Sequence, residues 1–237
     1  MIEMQQKNKE SQDYSNIEAI VWDLDNTLYR LDEALEHTFN LAIAKTVISM
    51  GVDLELEEAS RLAHASFEEF GFSGRVFIKE YGINYEDLHF GFHKYLDEKI
   101  VERSLETKDL FSELNLSHVL ITHSAKVWAE KVLSHLELSE FFPDTHILPF
   151  ESYNYESKAD SRKSFEMAIE LLGFPPDKTV MVEDRVDNLK IPYEMGMKTV
   201  FIHHGKERNA AENFVQDSYS DAAQFLQEIK KSKFSDP

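Results

Sequence analysis

The 237-residue chain contains no cysteine, which removes disulfides, thiolate metal sites and cysteine nucleophiles in one step. Long apolar runs are missing too: no stretch approaches the roughly 18 residues of a membrane span, and Met1 to Asn16 are too polar for a secretory signal. A soluble, cytoplasmic protein with no membrane partner is the expectation. Positive charge is scarce, with 25 Lys and Arg against 44 Asp and Glu and a formal net charge of −19. Binding to a phosphate backbone depends on Lys and Arg displacing counterions, so a nucleic acid polymer is not expected as a partner. A small phosphorylated metabolite remains open, because a divalent cation and a few local bases can invert the field inside a site. Internal repeats and low-complexity segments are also absent.

With 42% hydrophobic residues, the chain can bury one sizeable core plus an accessory subdomain. Met1 to about Asn16 is rich in Gln, Lys, Glu, Ser and Asn and is expected to be a mobile leader. The apolar run Ile17 to Trp22 reads as a buried strand. From Leu31 to Arg103 the pattern is helical throughout, with Leu35, Phe39, Ala42 and Ile43 on one face and Leu88, Phe92, Tyr95 and Leu96 on another. Beyond about Leu105 apolar runs alternate with amphipathic segments. Strands are predicted at His118 to Ile121, Thr145 to Leu148, Thr179 to Val182 and Thr199 to Ile202. Helices are predicted at Val127 to Leu136, around Phe165 to Leu172 with a stop at Gly173, near Leu189 to Met195, and at Asp221 to Lys230. This repetition predicts an α/β fold with a parallel sheet covered on both faces.

Chemistry concentrates at the predicted strand ends. Asp23-Leu24-Asp25-Asn26-Thr27 follows the first strand and projects two carboxylates into the crevice beyond the carboxyl ends of the sheet, where open α/β sheets bind ligands. The first can attack phosphorus and the second can move protons, provided a cation offsets the repulsion between like charges. Thr122, after the second predicted strand, can hold a phosphate oxygen or cap the next helix. Glu183-Asp184, with Asp187 and Asn188 one turn on, offers the oxygen ligands that Mg²⁺ requires, or a solvated helix start. Lys158 can neutralise charge that builds up on a phosphoryl group under attack.

With these four elements in order, the chain from about Ile17 to His204 resembles the haloacid dehalogenase superfamily of aspartate-nucleophile hydrolases. Asp23-Leu-Asp25-Asn-Thr27 is similar to its first motif, Thr122 to its second, Lys158 to its third, and Glu183-Asp184 with Asn188 to its fourth. The resemblance implies a Rossmann-like doubly wound core over 17–30 and 104–237, with a small all-helical cap over 31–103 inserted after the first strand. Halide-removing members typically lack the second aspartate, so Asp25 favours phosphoester hydrolysis. Asp23 to Tyr29 and the helical cap look most like the pyrimidine 5'-nucleotidase group. Phosphatases of phosphoglycolate or sugar phosphates, a phosphomutase, and a catalytically idle binding protein are the alternatives.

The resemblance also implies roles. Asp23 is the nucleophile and Asp25 the general acid and base, while Thr122 and Lys158 hold phosphoryl oxygens. Mg²⁺ is held by Asp23, the Asp25 main-chain carbonyl and Asp184, with Glu183 and Asn188 binding or orienting its waters. Three departures stand out. Ala159 replaces the proline expected after Lys158, and Phe165 lies one residue late, which makes Lys163 a competitor. Lys163 would fall inside a helix and point away from the crevice, so Lys158 is preferred. Arg185 replaces a small residue after Asp184. His123 replaces an asparagine and offers a pH-dependent substrate contact. In the cap, the loop Gly71 to Arg75 is expected to face the site, with Arg75 and Lys79 meeting a phosphate or base and Phe72, Phe77 or Tyr81 stacking on a nucleobase.

Overall fold

A short run such as Ala-Ile-Val-Trp has no polar face to show to water, and it forms the centre of a parallel sheet with every residue buried. The computed structural model describes residues 13–70, 72–205 and 212–234. Six strands, β1 (Ala19–Trp22), β2 (Ser117–Ile121), β3 (Ile147–Leu148), β4 (Thr179–Glu183), β5 (Lys198–Ile202) and β6 (Asp217–Tyr219), lie in the order β3-β2-β1-β4-β5-β6. All five pairings are parallel. The order reverses at β1, so β2 and β4 flank it and a crevice opens past its carboxyl end.

Alternate residues of each strand feed the two faces. Ile20, Trp22, Leu120, Val180 and Val182 pack on one side with Phe111, Trp128 and Phe225. Val21, Val119, Ile121 and Met181 pack on the other with Phe165 and Ala168. Between β1 and β2 come α1 (Glu33–Ser49), α2 (Leu56–Phe70), α3 (Arg75–Tyr81) and α4 (Tyr85–Phe92), two 3-10 turns at 93–95 and 98–100, and then α5 (Leu105–Glu113). The remaining helices are α6 (Lys126–His135), α7 (Lys163–Leu172), α8 (Lys190–Glu194) and α9 (Ala222–Phe234). Asp32 caps α1 by accepting the Leu35 N–H at 2.8 Å. Gly173 ends α7 at φ +70, a conformation that costs glycine nothing. No described helix is long and apolar enough to cross a membrane.

Two expectations change. The leader was expected to run to Asn16, but Tyr14 is fully buried, donates its hydroxyl to Asp217 at 3.1 Å and packs edge-on against Phe225. Residues 1–12 of that leader lie outside the described residues. Strand β6 was not expected, since Asp-Ser-Tyr carries no apolar run. Its place at the sheet edge comes from pairing with β5.

Candidate active site

The loops after β1, β2 and β4 bring their side chains together because the three strands are in register, Trp22 opposite Leu120 and Val182. Asp23 continues the ladder by donating its N–H to the Val182 carbonyl at 3.0 Å. The side chain of Asp23 is almost fully buried, and the Lys158 ammonium sits 2.5 Å from its Oδ1 and 2.6 Å from Glu183 Oε2. Lys158 is only 1% exposed. Lys163, on the first turn of α7, instead meets Glu156 at the surface, 3.2 Å away. The two lysines thus point as the helix-direction argument requires.

Glu183 is saturated by protein donors. Its Oε2 accepts from Lys158 and from Asn188 Nδ2 at 3.0 Å, and its Oε1 accepts the N–H groups of Asp184 and Arg185 at 3.2 and 3.1 Å. Glu183 and Asn188 were expected to handle metal-bound water. In the structure Glu183 is also the second counter-charge of Lys158, and the Asn188 amide nitrogen donates to it. Asp184 accepts from Asn26 Nδ2 at 2.7 Å. Asn26 holds φ +62, a conformation asparagine tolerates, and its carbonyl meets His204 Nε2 at 2.7 Å.

Oxygen atoms of Asp23, Glu183 and Asp184 all lie within 4.8 Å of one another. Burial, then the charge of Glu183, push Asp23 up to about 7 against the pull of Lys158. The same two causes, with Asp23 added, hold Asp184 well above the carboxylate range. Burial opposes the charge on Glu183, but Lys158 and the hydrogen bonds from Asp184, Lys158 and Asn188 outweigh it and hold that carboxyl below its usual value. Burial likewise works against the Lys158 ammonium, and Asp23 and Glu183 overcome it and raise it. Three acids against one ammonium leave an excess of negative charge at oxygen donors, which is the chemistry a hard divalent cation fits.

Asp25 faces the other way. Its Oδ1 accepts from the Tyr29 hydroxyl and from Trp128 Nε1 at 3.0 Å, and its Oδ2 accepts from Ser124 Oγ at 2.7 Å and Thr122 Oγ1 at 3.2 Å. Thr122 does not cap α6, whose N-cap is Ala125. Its hydroxyl is engaged with Asp25 and with the Ser124 N–H at 2.9 Å. Tyr29, Ser124 and Trp128 escaped sequence reasoning. Tyr29 sits four residues past Asp25, where one turn of chain can return to it, but Trp128 is 103 residues away and carries no local signal.

A cavity of about 510 Å³ lies between the helical segment and the sheet, with Asp25 and Ser124 on its wall. Phe39, Phe72, Tyr85, Phe92 and Phe150 supply much of its apolar lining, and Arg75 and Arg185 reach it from opposite sides of the sequence. Lys79 is exposed and does not line it, and Phe77 is core while Tyr81 is exposed, so of the cap residues expected there Phe72, Ser73 and Arg75 arrive. Gly71 lies outside the described residues. His123 lines the cavity, but its Nε2 accepts the Lys158 N–H at 3.2 Å and its ring packs on Phe150. Burial, followed by the charges of Lys158 and Arg185, holds this imidazole well below its usual range. It is a neutral acceptor near pH 7 and not the pH-dependent contact its position suggested.

No curated protein matches the chain. Among solved structures, CbbY from Rhodobacter sphaeroides, in complex with phosphate, is similar at TM-score 0.67 and 18% identity over 90% of this chain and 99% of that one. A HAD phosphatase from Thermococcus onnurineus is similar at TM-score 0.62 and 19% identity over 89% and 97%. YfnB from Bacillus subtilis, bound to magnesium, is similar at TM-score 0.61 and 17% identity over 90% and 98%. At such identities these likenesses speak for the fold. The family model for haloacid dehalogenase-like hydrolases matches residues 17–191, so the chain belongs to the haloacid dehalogenase-like hydrolases and is an enzyme of that family.

Proposed function

We propose that this hydrolase is a Mg²⁺-dependent phosphomonoesterase that works through an aspartyl-phosphate and acts on nucleoside 5'-monophosphates. The observation that carries this reading is the buried Asp23–Lys158 pair in a cluster of three acids, beside a cavity walled by aromatic rings and Asp25. In this reading residues 17–30 and 104–237 form the catalytic core and 31–103 the cap. The phosphate and magnesium found with CbbY and YfnB support the ligand classes. A small phosphorylated metabolite is then the partner, and the cytoplasm the compartment.

Asp23, Asp184 and the Asp25 main-chain carbonyl would hold the cation, which when bound offsets the negative charge of the phosphoryl oxygens and of the attacking carboxylate. A carboxylate oxygen of Asp23 attacks phosphorus as the ester P–O bond breaks, and Asp25 gives its proton to the departing alcohol. Water then attacks the aspartyl-phosphate, Asp25 takes a proton from it, and inorganic phosphate leaves. General acid–base help of this kind contributes about 10² to 10⁴-fold. Lys158 carries charge for the transferring group, and Glu183 keeps that ammonium in place. Phe72, Tyr85 and Phe150 offer rings against which a base can stack, and Arg75 offers a cation at the cavity's rim.

The test is phosphate release from a panel of nucleoside monophosphates, phosphoglycolate and sugar phosphates, with Mg²⁺ and with excess chelator. Preferential, chelator-sensitive cleavage of nucleotides is expected, and Asp23→Asn should abolish it while leaving the thermal melt in place. Turnover by Asp23→Asn would sink the mechanism, and equal rates across the panel would sink the substrate class.

A further inference from the structure

The carboxylate of Asp25 is held by four side chains, and they are chemically unequal. Oδ1 faces Trp128 Nε1 at 3.0 Å and the Tyr29 hydroxyl, and the indole also reaches the Tyr29 oxygen at 3.4 Å, so the three groups close a triangle. An indole N–H can only donate. The Tyr29 oxygen receives the indole N–H and its hydroxyl donates to Oδ1, so its hydrogen is aimed at Asp25. Oδ2 faces the hydroxyls of Ser124 and Thr122, which can turn and accept as readily as they donate. A proton on Oδ2 therefore keeps its partners, whereas a proton on Oδ1 would oppose the indole N–H. Access points the same way. Ser124 lines the cavity, and Tyr29 and Trp128 do not.

We propose that Tyr29 and Trp128 are positioning residues that anchor one oxygen of Asp25 and reserve the other, beside Ser124 and Thr122, for carrying the proton to and from the substrate. The assignment rests on the phosphatase reading above. It also ties the cap to the proton carrier: Phe39 of α1 lines the cavity and packs edge-on against the Trp128 ring, with centroids 5.6 Å apart at 90°. Without the anchor, Asp25 samples other rotamers, and its proton is misplaced for the leaving oxygen. The loss is selective by leaving group, since 4-nitrophenol, with a pKa of about 7, departs without a proton more readily than phenol at about 10.

Tyr29→Phe and Trp128→Phe keep the ring volume close and delete one donor each. The experiment compares kcat/KM for 4-nitrophenyl phosphate and phenyl phosphate, two esters of similar shape, in the Mg²⁺-loaded full chain and in both variants. The expected result is a nitrophenyl-to-phenyl ratio raised about tenfold in each variant, carried by kcat and not by KM. In an Asp25→Asn background, adding Tyr29→Phe should leave the ratio unchanged. Equal losses on both esters, or a further change in that background, overturn the positioning role and leave the phosphatase reading intact. A parent protein silent on both esters and on the nucleotide and sugar-phosphate panel overturns the phosphatase reading and this assignment with it. Should Trp128→Phe fail to fold, as a thermal melt would reveal, Tyr29→Phe alone decides.

Discussion

Replacing Lys158 by methionine keeps a long unbranched side chain of similar volume and removes one buried positive charge. The ammonium is 1% exposed and lies 2.5 Å from Asp23 and 2.6 Å from Glu183. Breaking a buried pair by deleting one partner costs about 3–5 kcal/mol, because the remaining charge stays desolvated. The two carboxylates will not share that cost equally. Asp23 is already pushed up to about 7 by burial and then by Glu183, so near neutral pH it can take a proton. Glu183 has been kept ionised despite burial by Lys158 and its hydrogen bonds, so it bears most of the penalty. Without the ammonium its folded-state ionisation moves above its unfolded value, so the penalty is largest at pH 7.5 and shrinks as pH falls toward 5. Urea and thermal melts at both pH values measure it. A loss of about 3–5 kcal/mol corresponds to roughly 10 °C for a chain of this size. Adding Glu183→Gln should return most of the loss at pH 7.5. Turnover should fall about 10² to 10³-fold in either variant, as expected for removal of one preorganised charge contact. Lys163→Met, at the surface, should leave the melt unchanged. A Lys158→Met melt within 2 °C of the parent, flat with pH, would refute the reasoning.

Cation binding should release protons, because Asp23 and Asp184 are held above their usual range by burial and neighbouring carboxylates. Mg²⁺ affinity should rise by about tenfold per pH unit for each proton released, up to about a hundredfold for two, as pH approaches 7 from below, and titration calorimetry in two buffers of different ionisation enthalpy reads the proton count. No proton release would contradict the excess-charge account. Burial holds His93 and His118 down to about 3, with His118 also accepting the Trp22 indole N–H at 3.1 Å. Their folded-state values lie below the unfolded one near 6.5, so their contribution is complete above that pH and lost as pH falls toward 3. By pH 5 each withdraws about 2 kcal/mol. His118→Gln, which retains an acceptor for Trp22, should make the urea midpoint less sensitive to pH between 7 and 5, and equal sensitivity would count against a neutral buried ring.

What could be read from the sequence follows from how local each signal is. Buried parallel strands announce themselves as apolar runs, and β1, β2, β4 and β5 fall within two residues of expectation at either end. Strand β6 has three residues and no such run, and Tyr14 looks like one aromatic in a polar leader until Asp217 and Phe225 are placed around it. Lys158 lies in the turn before α7 and Lys163 opens that helix, so a helix boundary legible in the sequence separates the two. The partners of Asp25 are another matter. Two of its four donors, Thr122 and Ser124, belong to the loop after β2, and Trp128 to the first turn of α6, so their meeting depends on strand order. Asn188 illustrates the limit of motif reading. Its spacing from Asp184 suits a metal-bound water, and the bond its amide nitrogen gives to Glu183 five residues before it becomes visible only in the structure.

The two carboxylates of the first loop diverge because of what surrounds them, although one residue separates them. Asp23 prolongs β1 and turns into the sheet, where its neighbours are a lysine and two acids. Asp25 comes after the turn begins and opens toward hydroxyls, an indole and the cavity. In the strand the side-chain period is two, which would put both on one face. The left-handed Asn26, tied to Asp184 through its side chain and to His204 through its carbonyl, marks where that periodicity stops. A residue unable to hold φ +62 there would strain the turn that carries Asp25, so the proposed division of labour between nucleophile and proton carrier would depend on a residue that performs neither task.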